Sequence, residues 1–89
     1  MSNWKNYLDD NQDSFLQDLI DFVGIPSISS SQEHFPDVVR AADWVASRLI
    51  KSGIENVEIL PTGNHPIVYG EHLGTNEMPT VLIYGHFDV

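Results

Sequence analysis

Between Asn3 and Val23 the apolar residues are Trp4, Tyr7, Leu8, Phe15, Leu16, Leu19, Ile20, Phe22 and Val23. From Phe15 onward they recur three and four positions apart, which is the period of one helix face. Trp4 and Leu8 continue that stripe towards the start of the chain. The intervening Asp9-Asp10-Asn11-Gln12-Asp13-Ser14 is polar, and Asp13 or Ser14 is suited to cap a second segment. The expectation is one long helix with a weak middle, ended by Gly24 and Pro26. A second stripe of Val38, Ala41, Ala42, Val45, Ala46, Leu49 and Ile50 predicts another helix, starting at Pro36 or Asp37. Proline fits a first helical turn, and an acid there faces the positive end of the dipole. Trp44 lies at the edge of the stripe. Arg48 and Lys51 suit the negative end, and Gly53 supplies a left-handed stop. The alanines predict close packing against a sheet. Ile25 to Phe35, with Ser27-Ile28-Ser29-Ser30-Ser31, reads as a surface connector. Neither a Gly-rich pattern nor a lysine accompanies these serines, so a phosphate cradle is not expected.

Beyond Gly53 the period changes from helical to two. Asn56 to Leu60 alternates, with Val57 and Ile59 opposite Glu58 and Leu60. Pro61-Thr62-Gly63-Asn64 is turn chemistry. Pro66 to Leu73 reads as a second strand, with Ile67, Tyr69 and Glu71 on one side and Val68 and His72 on the other. Gly74 to Pro79 is another turn, and Thr80 to Tyr84 reads as a third strand, buried on both faces. Connections this short allow no helical crossover, so neighbouring strands should be antiparallel. Two helices followed by three strands is the opening of an α/β layered domain.

The third strand is followed by Gly85 and then by His86-Phe87-Asp88-Val89. Residues two apart in extended chain project to the same side. His86 and Asp88 should therefore face one way and Phe87 the core. Open α/β sheets place their ligands at the carboxyl ends of strands. An imidazole beside a carboxylate at that edge suits a metal ligand and its supporting acid. His34, His65 and His72 lie in a loop, a turn and a strand. None stands at ligand spacing to another histidine or an acid on a regular element, so surface or packing roles are expected of them.

Composition narrows the field. The chain has 89 residues, enough for one small domain. No cysteine is present, so disulfides and thiolate metal sites are excluded and any metal must use His and carboxylates. The formal charge of −9 opposes nucleic-acid binding and an anionic membrane surface. No apolar run approaches the ~20 residues of a membrane span. The start, Met1-Ser2-Asn3-Trp4-Lys5, has no basic region followed by an apolar core. A cytoplasmic location is the expectation.

Val81-Leu82-Ile83-Tyr84-Gly85-His86-Phe87-Asp88-Val89 resembles the first metal motif of the di-zinc aminoacylase/carboxypeptidase/dipeptidase family. Gly63-Asn64-His65-Pro66-Ile67-Val68-Tyr69-Gly70-Glu71 and Ile25-Pro26-Ser27-Ile28-Ser29 are similar to it as well, in the family's order. The fit is best to its dipeptidase branch, which includes carnosine-type enzymes. The resemblance implies a three-layer α/β/α catalytic domain, of which residues 1–89 would be the amino-terminal part. It implies that His86 ligates one zinc of a pair, and that Asp88 is the catalytic acidic partner that orients the imidazole. It assigns no role to His65. It further implies hydrolysis of dipeptides or short N-acyl amides by metal-activated water, a small peptide substrate, and a homodimer for a full-length member. The bridging aspartate, general-base glutamate, remaining ligands and lid domain follow later in family members. The expectation is therefore an amino-terminal fragment, inactive alone. The alternatives are a non-catalytic α/β module and a carboxypeptidase or deacylase of the same family.

Overall fold

The computed structural model describes residues 3–89. Met1 and Ser2, the first two residues of the start read for a leader, lie outside the described part. The elements are α1 (Trp4–Asp10), α2 (Gln12–Val23), a 3-10 turn (Gln32–His34), α3 (Phe35–Lys51), β1 (Asn56–Leu60) and β2 (Ile67–Glu71). The α/β class holds, as helices with a two-stranded antiparallel sheet.

The expected single long helix is two helices. Asn11 leaves helical geometry with φ −114° and ψ 11°. Its side-chain Nδ2 donates to the Tyr7 carbonyl at 2.8 Å. Its backbone N–H reaches the carbonyls of Tyr7 and Leu8 at 3.1 and 3.3 Å. An asparagine amide that competes for backbone groups is a natural interruption. Asp13 falls in the first turn of α2, but no side chain caps that helix. Much of the apolar stripe of α1 and α2 is uncovered, with Trp4, Tyr7, Leu16, Leu19 and Val23 exposed. Helix α2 is tied to α3 by two contacts. The Phe22 and Trp44 rings meet at 4.9 Å. Arg48 pairs with Asp18 while its guanidinium lies 5.5 Å over the Trp44 ring.

Helix α3 carries the core. Val38, Ala41, Ala42 and Ala46 are buried, and α3 packs on both strands. Ile50, expected on the buried stripe, is exposed at the helix end. There the chain turns at Ser52 and at Gly53, whose φ is +98°. Close approach of α3 to the sheet also depends on Gly70. A Cβ there would lie 3.1 Å from Ile54 Cγ2 and 3.2 Å from Leu49 Cδ1. Strands β1 and β2 pair from Asn56 opposite Glu71 to Leu60 opposite Ile67. The second strand is shorter than the expected Pro66–Leu73.

The third strand did not form. Residues 80–84 pair with no strand, and Val81, Leu82, Ile83 and Tyr84 are 78–89% exposed. The physical reason is absence of a partner. A strand buried on both faces needs neighbours on its edges and layers above and below, and among the described residues nothing occupies those places. Apolar composition favours burial but does not supply the surface to bury against. No described helix is long and apolar enough to cross a membrane.

Candidate functional site

After Gly85 the chain makes contacts again, and the loop 25–31 is what holds it. Ser27 is 1% exposed. Its hydroxyl donates to the Phe87 carbonyl at 3.1 Å, and its carbonyl accepts from the Val89 N–H at 3.1 Å. These two bonds fasten 87–89 along the loop. Phe87 turns inward and is half-buried. The loop was expected to be a surface connector, and that reading is overturned. A serine hydroxyl that satisfies a distant carbonyl is worth burying.

His86 and Asp88 lie on the same side. The Nδ1 of His86 is 2.9 Å from Asp88 Oδ1. An ionised carboxylate only accepts, so Nδ1 carries the proton of the neutral ring and Nε2 keeps its lone pair. The His86 side chain is 78% exposed, which leaves Nε2 accessible. The second oxygen of Asp88 accepts from the Ser29 hydroxyl at 2.6 Å. Both of its oxygens are thus engaged. The Ser29 bond first, and the His86 bond second, hold the Asp88 carboxyl below the usual carboxylate range.

His65 sits behind this group. Its Nε2 donates to the Ser29 carbonyl at 2.7 Å, and its ring stacks on Phe35 with centroids 5.4 Å apart. Its Nδ1 is buried without a partner. The turn that presents it is fixed by Thr62, whose hydroxyl donates to the His65 carbonyl at 2.6 Å. Gly63 adopts the positive φ of +86° that this turn needs. His86, Asp88, Ser29 and His65 line one open cleft of about 720 Å³, whose apolar wall includes Phe22, Val38, Val45 and Val68.

Serines 27 and 29 and His65 were therefore missed as site-forming residues. A turn-prone serine run gives no hint of what its hydroxyls will meet 60 positions away. The available signal was that both segments belong to the motifs that carry the family resemblance. The other histidines also have acidic neighbours, contrary to expectation. His34 Nδ1 is 2.9 Å from Asp37, and His72 Nδ1 is 3.1 Å from Glu55. Among the described residues, no group of three or more His, Cys, Asp or Glu is placed to hold a metal ion. The chain offers one imidazole nitrogen with its orienting acid, which fits one ligand position of a metal centre and no more.

An accessible imidazole nitrogen, backed by a carboxylate and bordering an apolar cleft, is an arrangement that suits one metal ligand. Along most of its length this chain is similar to curated dipeptidases, two of which are named Cys-Gly metallodipeptidases. It is 37% identical to a Cys-Gly metallodipeptidase of Schizosaccharomyces pombe over 92% of this chain and 19% of the relative. Identity to the Candida albicans Cys-Gly metallodipeptidase is 30%, over 84% of this chain and 18% of that protein. The Beta-Ala-His dipeptidase of Mus musculus is 34% identical over 94% of this chain and 20% of its own length. The chain thus spans about a fifth of the curated relatives it matches. No family model matches it, and no solved structure does.

Proposed function

We propose that this chain supplies part of the active centre of a zinc-dependent dipeptidase, with His86 as a zinc ligand through Nε2 and Asp88 as its orienting carboxylate. The observation that carries this reading is the 2.9 Å bond from His86 Nδ1 to Asp88, which leaves Nε2 unprotonated and exposed. The names of the relatives support a metal and a dipeptide substrate. The absence of cysteine restricts the donors this chain itself can offer to nitrogen and oxygen, which zinc accepts.

The roles of the chain's own residues follow from their atoms. Asp88 accepts the Nδ1 proton, fixes the ring's tautomer and raises the basicity of Nε2. The apolar wall formed by Phe22, Val38 and Val45 limits water on one side of the cleft. When bound, zinc supplies Lewis acidity, which polarises a scissile carbonyl and lowers the pKa of water. The remaining ligands and the general base would come from outside these 89 residues, in a three-layer domain where 80–84 forms an inner strand. A homodimer and a cytoplasmic setting belong to the same proposal.

The test joins this chain to the remaining four fifths of the S. pombe relative in place of the matching segment. The chimera should hydrolyse Cys-Gly, and His86→Ala should abolish that activity and weaken zinc binding by calorimetry. The 89-residue chain alone should bind zinc weakly and hydrolyse nothing. Full activity in the His86→Ala chimera would overturn the reading.

A further inference from the structure

Asp88 cannot orient His86 unless something orients Asp88. Its carboxylate is about one-third exposed and follows a segment in which Val81, Leu82, Ile83 and Tyr84 are 78–89% exposed. A free carboxylate beside an exposed ring would turn about its own side-chain torsions and satisfy itself with water. In the structure one of its oxygens is instead held by Ser29, 59 positions earlier, at 2.6 Å. Ser29 is in turn held by its own carbonyl, which accepts from His65 Nε2 at 2.7 Å. The His65 ring is locked by its stack on Phe35 and by the turn that Thr62 closes.

We infer that Ser29 is a positioning residue for His86, acting through Asp88, with His65 as the support that fixes Ser29. The inference rests on the proposed role of His86 for its consequence, but not for its geometry. The line runs from His65 Nε2–H to the Ser29 carbonyl, from the Ser29 hydroxyl to Asp88 Oδ2, and from His86 Nδ1–H to Asp88 Oδ1. Each group uses the donor or acceptor it must have. A hydroxyl both accepts and donates, a carbonyl only accepts, and an ionised carboxylate only accepts. The direction of every bond is therefore determined, and the unprotonated nitrogen of His86 is Nε2. The orphaned Nδ1 of His65 agrees. Nε2 of that ring is committed to the Ser29 carbonyl, so Nδ1 is a bare acceptor in the neutral ring. His65 thus holds the loop with one nitrogen, and the other is sealed from water.

The first test needs no metal. Long-range 15N–1H correlation spectra report which ring nitrogen of His86 carries the proton in the 89-residue chain. The Nδ1–H form should dominate in the wild type. In Ser29→Ala, Asp88 loses its tether and the Nδ1–H form should fall from majority to minority. Ser29→Thr keeps the hydroxyl and should restore it. His65→Phe keeps the stack on Phe35 but not the donor, and should move the ratio in the Ser29→Ala direction by less. Amide spectra of α3 and the hairpin, unchanged in all variants, separate this from unfolding. An unaltered His86 tautomer in Ser29→Ala, or no restoration by Ser29→Thr, would overturn the inference. In the chimera, Ser29→Ala should weaken zinc binding by about 10–100-fold, the usual cost of losing a group that orients a ligand. Unchanged zinc affinity in that variant would also count against it. A chimera indifferent to His86→Ala would remove the zinc reading, while the tautomer result would still decide the role of Ser29.

Discussion

The buried face of helix α3 and residues 81–84 are both apolar, and they have opposite fates. Val38, Ala41 and Ala42 are at most 1% exposed, while Val81 to Tyr84 are at least 78% exposed. The difference does not lie in hydrophobicity, since Val-Leu-Ile-Tyr is the more apolar of the two. It lies in whether the chain carries the partner surface. Helix α3 brings small residues to a hairpin formed immediately after it, and Gly70 removes the last obstruction. Residues 80–84 follow that hairpin and find no edge of it taken up and no layer to cover them. Burial is a property of pairs of surfaces, and only one of each pair can be read from a local pattern.

The sharpest way to break this comparison is to place a charge in each region. Ala42→Asp puts an unpaired carboxylate into the helix–sheet contact and should cost about 3–5 kcal/mol, enough to unfold a small domain. Leu82→Asp puts the same group where water already is, and should change stability by no more than about 0.5 kcal/mol. Urea melts followed by circular dichroism compare the two. A large loss in Leu82→Asp would mean that 80–84 is packed in solution.

An exposed strand-forming run is also a site for pairing with another copy. The 89-residue chain should gain mass with concentration in sedimentation, and Leu82→Lys with Ile83→Lys should keep it monomeric. A wild-type chain that stays monomeric across the same range would show that the two regions differ less in solution than in structure.

The same contrast explains what could be read in advance. The span of α3, its small-residue face, the antiparallel direction of β1 and β2 and the juxtaposition of His86 with Asp88 all follow from nearby sequence, and all were legible. The break at Asn11 was visible as a polar stretch, but its outcome depended on an amide reaching Tyr7. The burial of Ser27 and the hold of Ser29 on Asp88 depend on residues about 60 positions apart. Periodicity carries no information about such a meeting. The third strand failed for the same reason in reverse, because a correct local pattern presumed surfaces that the described residues do not provide.

A milder probe tests how closely the packed half fits. Gly70→Ala places a methyl 3.1–3.2 Å from Ile54 Cγ2 and Leu49 Cδ1. Those atoms are side-chain tips and can give way, so the cost should be about 1 kcal/mol, as in modest overpacking. A neutral result in thermal melts would mean that α3 rides higher on the sheet than the distances indicate. The equivalent addition at Gly85, where nothing lies within 4 Å of a Cβ, should have no steric cost.

The smallest expected effect concerns how the packed half begins. Asp37, in the first turn of α3, accepts from His34 Nδ1 at 2.9 Å and from Arg40 at 2.8 Å. The His34 bond, followed by that of Arg40, holds its carboxyl below the usual carboxylate range, with desolvation opposing. A folded-state pKa below the unfolded one means that the ionised form favours the fold. The contribution is fully present above the unfolded value of about 4 and is lost as pH falls through the lower folded value. Stability should therefore decline on acidification below about pH 4, and part of that decline belongs to Asp37. Other acids titrate over the same range, so the wild type must be compared with Asp37→Asn at each pH. At pH 7 the wild type should be the more stable in urea, and the gap should close by pH 2–3. A gap that persists unchanged at low pH would show that Asp37 acts through neutral hydrogen bonds alone. The residues at 80–84 include no acid, so Leu82→Asn should show no such pH-dependent gap.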